Sequence, residues 1–378
     1  MTDFPFRPTA EQLSDLAADV APISDIQRQL RANDPAQLVV NDRVAHQYQI
    51  AGGKVLLRIA SQLPESLRGV GLFQSEREYT GIARISTGLG CPHNESLPDF
   101  LGIRLAFRTS TGRRVDFLGI NHPASPTDSH EQFIKLLRAT AAGAGSGVVA
   151  SNLKLHESLT SSLGPVQGAE TFAHVVDQTL RTSLSTTAYQ TYWTGIEETG
   201  GPPGKFVIAR LKDENPVRIG GLHDDRHHLT AEWRKRQAEG PIEFNLYWLS
   251  FIDHEATSLV KLTRAWQEAR HLVGHVTFPQ CDHATPDARS WAALAAEMGA
   301  NPGNWIHDRD DTVRQPATEF GVARKFAYEK SQAGRDALPE TAYAGVFESG
   351  MIDPVLREML SVRRSKKQRE GHIDAAPD

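Results

Sequence analysis

The sequence predicts an α+β fold in which an antiparallel barrel of about eight strands carries helices appended mainly after it. Short apolar runs bounded by turn residues recur before residue 280, and residues 241–251 alternate apolar and polar side chains as a half-buried strand does. After residue 285 the apolar residues recur at helical spacing. The sequence has no evident Pro/Gly/Ser-rich linker between these parts, so one barrel-centred domain is expected.

Individual strands are predicted from apolar runs that end at Gly, Pro, Asn, Asp or Ser clusters. The segment STGR (110–113) joins two such runs and is typical of a hairpin turn. The predicted strands cover residues 52–60, 79–86, 100–107, 114–120, 205–211, 241–251 and 271–278.

Helices are predicted where apolar residues return every three or four positions. This spacing occurs over residues 9–33, 130–143, 169–184, 287–298, 317–333 and 352–364. We therefore divide the chain into an N-terminal helical arm (1–39), the barrel with its helices (40–340), and a C-terminal helix with a charged tail (341–378).

Composition excludes several classes of function. Hydrophobic residues make up 39% of the chain and charged residues 23%, with a formal net charge of −5, so there is no overall basic field for nucleic acid. Cys91 and Cys281 are too few for a disulfide framework. The first 20 residues contain acids and no continuous apolar core, and no apolar run reaches the length of a membrane span. We expect a cytoplasmic protein without a nucleic-acid partner or a membrane span.

Polar residues occupy three places where a strand would carry apolar ones. Arg43 and His46 enter the first strand, Arg84 and Ser86 point to one side of the second, and Asn121 ends the hairpin. Because a buried arginine is costly without an anion, arginines that converge on a cavity would indicate a carboxylate- or phosphate-bearing ligand. Taken singly, each group is also compatible with a surface strand position or a hydrogen-bonded core histidine.

Five short motifs follow one another along residues 40–336, and together they are more specific than any one of them. They are RVAH (43–46), ARIST (83–87), DFLGI (99–103), DFLGINHP (116–123) and RKFAY (324–328). In this order and at these spacings they resemble the heme catalase superfamily. RVAH is similar to the Arg-Val-Val-His motif of its distal histidine, and RKFAY to its proximal Arg-x-Phe-x-Tyr. The chain is shorter than typical catalases and most resembles the minimal catalase-related proteins.

The resemblance implies a cofactor, heme b with its iron, buried between the barrel and a C-terminal helix. Tyr328 would be the metal ligand, as tyrosine is in catalase. Arg324 lies one helical turn before it and would favour the phenolate. Arg43, Arg84 and Arg335 would hold the propionates.

On the other face of the heme, the resemblance implies three catalytic residues. His46 would transfer a proton between the two oxygens of a bound peroxide, Asn121 would orient the peroxide, and Ser86 would fix the imidazole. The expected activity is that of a heme peroxidase or catalase-like oxidoreductase cleaving the O–O bond of hydrogen peroxide or an organic hydroperoxide. The substrate would be a small molecule, and a homodimer or a homotetramer stays open.

One departure from the family pattern bears on the substrate. Catalases place aromatic residues after the distal asparagine, whereas residues 122–126 here read HPASP. A wider or more polar pocket would suit an organic hydroperoxide, so the alternative is a catalase-fold heme enzyme of lipid or specialised metabolism, a hydroperoxide isomerase, dehydratase or oxygenase. A non-catalytic heme-binding protein is a third class, and the presence of both His46 and Asn121 argues against it.

Overall fold

The computed structural model describes residues 6–32, 43–74, 77–88, 95, 99–144, 148–182, 186–197, 202–210, 227–267, 269–304 and 318–369. Within these residues eight antiparallel strands close into a barrel, each strand pairing with the next and the last with the first. The strands are β1 (Gln49–Ile59), β2 (Glu78–Thr87), β3 (Leu101–Arg108), β4 (Arg114–Ile120), β5 (Tyr192–Thr194), β6 (Gly204–Arg210), β7 (Ile242–Ser250) and β8 (His271–Phe278).

The predicted eight-stranded antiparallel barrel is confirmed. Every strand predicted from the sequence is present, with ends that differ by a few residues. Strand β5 was not predicted, because three residues are too few to show a period.

Side-chain alternation gives the barrel an apolar interior and a partly polar outer face. On β2, Ala83 and Ile85 pack in the barrel core, and Arg84 and Ser86 point outward because neighbouring side chains project to opposite faces. The outer faces of β2, β3 and β4 therefore form a continuous surface that helices can cover.

Helices surround this barrel. Those in the described residues are α1 (Ala10–Asp19), α2 (Ile23–Ala32), α3 (His130–Gly143), α4 (Val148–Leu163), α5 (Pro165–Thr182), α6 (His228–Glu239), α7 (Pro286–Glu297), α8 (Glu319–Gly334), α9 (Val346–Ser349) and α10 (Pro354–Arg369). Among them, none is both long enough and apolar enough to cross a membrane.

The helices differ from the prediction in two respects. The predicted helix over residues 9–33 is two helices, α1 and α2, separated by a turn that contains Pro22, whose ring cannot continue a helix. Helices α4, α6 and α9 were not predicted at all.

Two apolar clusters fix the helices that matter for the site. Helix α7 packs on β1 and β2, with Leu294 and Ala295 in a cluster that includes Ile82 of β2. Helix α8 packs on α1, α2 and α3 through Val322, which shares a cluster with Ile23. These contacts leave another face of α8 directed at the outer surface of the barrel.

Candidate active site

A cavity of about 270 Å³ lies between the outer surface of the barrel and helix α8. Strands β2, β3 and β4 contribute one wall and α8 the facing wall. Helix α3, the segment after β4, residues 193–197 and Lys205 contribute further sides. The predicted site residues that border this cavity are Arg43, His46, Arg84, Ser86, Arg324, Tyr328 and Arg335.

The backbone holds His46 in an unusual conformation. Its φ angle of +58° lies in the left-handed region, which a non-glycine residue occupies only where its surroundings fix it. The His46 N–H donates to the carbonyl of Gly88 at 3.0 Å. The imidazole lies against Gly102 on β3, where a Cβ would stand 2.5 Å from the ring Nδ1. The glycine of the DFLGI motif thus gives the imidazole its place at the cavity wall.

Burial and nearby arginines set the charge of His46. Burial, followed by the charges of Arg84, Arg43 and Arg324, lowers the pKa of His46 to about 3. The imidazole is therefore neutral near pH 7, with a proton on one ring nitrogen and a lone pair on the other. Its Nδ1 lies 3.2 Å from the Ser86 hydroxyl oxygen, so Nε2 is the atom through which His46 can exchange a proton with a ligand.

The structure does not bring Asn121 to the cavity. Its Oδ1 accepts a hydrogen bond from the N–H of Leu101 at 2.8 Å, and its Nδ2 donates to Gln190 at 3.2 Å. The next residue, His122, borders the cavity instead, as do Pro123 and the rest of the HPASP segment. The peroxide-orienting role of Asn121 stays a prediction, and in this structure its amide ties β3 to the segment before β5.

Three described arginines donate to carbonyl groups at the C-terminal end of α7. These bonds join Arg43 Nη2 to Ala296 O at 2.8 Å, Arg104 Nη2 to Ala295 O at 3.0 Å, Arg104 Nη1 to Met298 O at 3.2 Å, and Arg335 Nη2 to Met298 O at 3.0 Å. A helix C-terminus favours cations because its last carbonyls have no partner in the helix. The carbonyl groups at the end of α7 therefore stabilise part of the positive charge in this wall.

Arg43, Arg84 and Arg104 retain hydrogen-bonding capacity that the described part of the chain does not use. They are 9%, 4% and 5% exposed, and their Nε atoms are buried with no partner among the described residues. Arg84 lies directly opposite Arg104 in the β2–β3 register, and the two positive charges repel each other. Burial and then repulsion within the arginine group lower the pKa of Arg43 and Arg84 well below the usual value. Such a wall favours an anionic ligand.

Helix α8 presents two different groups to the cavity. Tyr328 borders the same cavity as Arg43 and Arg84, and an ionised Tyr328 partly offsets the lowering of the pKa of both arginines. One turn earlier, Arg324 extends its Nη1 towards Gly195, to within 2.6 Å of the point where a Cβ would stand. The phenol is thus near the arginine wall, while the Arg324 guanidinium lies at the end of the cavity beside the segment after β5.

Three charged residues that border the cavity were not among the predicted site residues, namely Arg104, Glu197 and Lys205. Arg104 carried a usable signal, since it is a charged residue inside the otherwise apolar run FLGIRLAF (100–107). Glu197 and Lys205 carried none, because they flank a segment with no regular period and their burial depends on contacts made by distant parts of the chain.

The barrel with these helices has a catalase-like fold. A fungal catalase matches with a TM-score of 0.62 and 15% identity over 78% of this chain, and a bacterial catalase with 0.60 and 16% over 81%. Catalase A from Saccharomyces cerevisiae matches with 0.59 and 12% over 83%. This chain spans 59%, 59% and 65% of the lengths of those three proteins. No protein-family model and no curated protein sequence matches it.

Proposed function

We propose that the chain is a heme-dependent peroxidase or catalase-like oxidoreductase that cleaves the O–O bond of hydrogen peroxide or an organic hydroperoxide. The proposal depends on one observation: Tyr328 on α8 and His46, which precedes β1, border the same cavity in a catalase-like fold. A tyrosine and a neutral imidazole are the groups needed to ligate heme iron and to move the proton of a peroxide.

The residues of the cavity fit a heme. A porphyrin needs apolar walls for its faces and cations for its two propionates. Leu118, Ile120 and Phe133 supply apolar lining. The Nε atoms of Arg43 and Arg84 are buried donors without an acceptor among the described residues. The carboxylates of a heme would satisfy those donors and relieve the repulsion within the arginine group.

In the proposed site the phenolate oxygen of Tyr328 ligates the iron, and Arg43, Arg84 and Arg335 hold the propionates. Arg104, which was not among the predicted site residues, adds a fourth cation to that wall. Bound there, the heme would supply an iron centre that accepts two oxidising equivalents from the peroxide.

His46 carries the proton in this scheme. Because its pKa is about 3, the imidazole is neutral at working pH, and its Nε2 can accept the proton of the hydroperoxide O–H. The same low pKa makes the protonated ring a strong acid, so it returns the proton readily to the departing oxygen. Ser86, 3.2 Å from Nδ1, fixes the ring plane and the tautomer.

The cavity also supports the alternative, a heme enzyme of lipid or specialised metabolism that isomerises, dehydrates or oxygenates an organic substrate. The HPASP segment borders the cavity without an aromatic side chain, and Leu136, Leu137 and Val175 extend an apolar lining towards α3 and α5. An alkyl chain could occupy that lining.

Reconstitution with heme tests the axial ligand. We expect a ferric spectrum of the tyrosinate type, which the substitution Tyr328→Phe abolishes. Tyr189→Phe is a matched control, because Tyr189 is also half-buried but packs between Arg210 and Arg236 outside the cavity. A heme-replete Tyr328→Phe protein with an unchanged spectrum would refute the assignment.

A substrate panel separates the two activities. Oxygen release from hydrogen peroxide, compared with turnover of fatty-acid hydroperoxides and simple alkyl hydroperoxides, distinguishes catalase or peroxidase chemistry from isomerase or dehydratase chemistry. Replacing His46 by alanine should reduce turnover of the preferred peroxide by about 10²- to 10⁴-fold. Unchanged turnover in that variant would remove His46 from the mechanism.

A further inference from the structure

One carboxyl group and one ammonium group border the cavity without a role in the proposed mechanism. Glu197 follows β5 and Lys205 lies at the start of β6, and they are 7% and 5% exposed. The backbone of Glu197 exchanges two hydrogen bonds with Gly204, at 2.7 and 2.9 Å, so both residues are attached to the rigid barrel.

The surroundings of this pair are apolar. The Lys205 ammonium lies 4.9 Å from the centre of the Trp266 ring, within a cluster that includes Ile196 and Leu262. Burial raises the pKa of Glu197 to about 8 and lowers that of Lys205 to about 8. Neither side chain forms an ion pair with another residue of the described part of the chain.

Arg324 acts on both residues. After burial, the charge of Arg324 is the remaining influence on the pKa of Glu197 and of Lys205, and it lowers both. Its guanidinium lies against Gly195, two residues before Glu197. On α8, Arg324 precedes Tyr328 by four residues, a spacing that brings side chains together on one helix face. Arg324 therefore lies on the helix that carries the proposed iron ligand, with its guanidinium beside the segment that carries Glu197.

We propose that Glu197 and Lys205 are positioning residues for Arg324 and, through it, set how strongly the Tyr328 phenolate donates electrons to the heme iron. The proposal rests on the proposed function. An ionised Glu197 attracts the guanidinium and offsets its charge, so the phenolate keeps more electron density. A charged Lys205 adds to the positive field and has the opposite effect.

The reduction potential of the heme iron tests this, because a more positive surrounding favours the ferrous state. Heme-loaded wild type, Glu197→Gln and Lys205→Met are compared at pH 6.5 and pH 9.5. At pH 9.5 wild-type Glu197 is ionised, so Glu197→Gln should raise the potential there and change it little at pH 6.5. At pH 6.5 wild-type Lys205 is charged, so Lys205→Met should lower the potential there and change it less at pH 9.5. His46, which Arg324 also affects, stays neutral across this range.

Conservative variants show whether a change in potential comes from the lost charge or from a misfolded protein. Glu197→Asp should keep the wild-type potential at pH 9.5, and Lys205→Arg should raise it at that pH because arginine stays charged. Glu95→Gln is the control, since Glu95 is a buried carboxyl whose pKa is also raised by burial, but it accepts from Thr230 outside the cavity. It should leave both potentials unchanged.

The outcomes separate this inference from the proposed function. A tyrosinate-type spectrum with potentials that do not change, or that move in the same direction in Glu197→Gln and Lys205→Met, overturns the inference alone. A protein that takes up no heme overturns both. Opposite shifts at the two pH values, absent from Glu95→Gln, support the assignment.

Discussion

The imidazole of His46 occupies the space in which a side chain at Gly102 would stand. A Cβ at position 102 would lie 2.5 Å from Nδ1 of the ring, and the left-handed backbone of His46 presses the ring against strand β3. The distance from His46 Nδ1 to the Ser86 hydroxyl, 3.2 Å, depends on that fit. A glycine on one strand thus determines where the proposed proton-transfer group can be.

Gly102→Ala should therefore displace the imidazole and leave the barrel intact. A displacement of about 1 Å at a catalytic group can cost on the order of 100-fold in rate, and we expect a loss of that size in peroxide turnover with heme still bound. Steady-state kinetics and the heme spectrum measure the two effects. Gly53→Ala on β1 is the matched control, because a Cβ there meets nothing within 4 Å. Equal losses in both variants would disprove the role of Gly102.

His46 should make the heme-free protein less stable in acid. Its folded pKa of about 3 lies below the ordinary value of 6.5, so the unfolded chain binds a proton that the folded chain rejects. Its contribution to stability is complete above pH 6.5 and is lost as the pH falls towards 3. Denaturant unfolding of wild type and His46→Gln at pH 7 and pH 4.5 should show the variant gaining relative stability at pH 4.5. A difference in unfolding free energy that is the same at both pH values would contradict the shift.

Arg43 should slow the release of heme. Its buried Nε has no partner among the described residues, and a charged hydrogen bond to a propionate would stabilise the complex by about 1.5–3 kcal/mol. Since about 1.4 kcal/mol corresponds to tenfold, Arg43→Gln should release heme to an acceptor protein at least about ten times faster. Arg108→Gln is the control, because Arg108 pairs with Glu340 at 2.9 Å outside the cavity. Equal release rates in wild type and Arg43→Gln would argue against a propionate contact.

Asn121 should stabilise the fold through Gln190. The two side chains are joined at 3.2 Å, and Asn121 also accepts from the backbone of Leu101. In a double-mutant cycle with Asn121→Ala and Gln190→Ala, the coupling in unfolding free energy should reach about 0.5 kcal/mol or more. A distal role for Asn121 predicts instead no coupling and a large loss of turnover in Asn121→Ala alone. Measuring both quantities on the same proteins decides between the two.

Much of the fold follows from local patterns. The alternation in residues 241–251 and the hairpin at 110–113 predicted strands that the structure contains, because side-chain period and turn chemistry are properties of neighbouring residues. Strand β5 and helices α4, α6 and α9 were not predicted. Strand β5 pairs with β4 on one side and β6 on the other, and its three residues are too few to show a side-chain period.

The barrel, the order of the motifs and seven residues that border one cavity could be inferred from the amino-acid sequence alone. How the polar groups are used depends on the folded structure. It directs Asn121 to a partner 69 residues away, adds Arg104 to the arginine wall, and buries Glu197 and Lys205 beside Arg324. The physical reason is that hydrogen-bond partners, burial and electrostatic neighbours arise from contacts between distant segments, and no local pattern in the sequence encodes them.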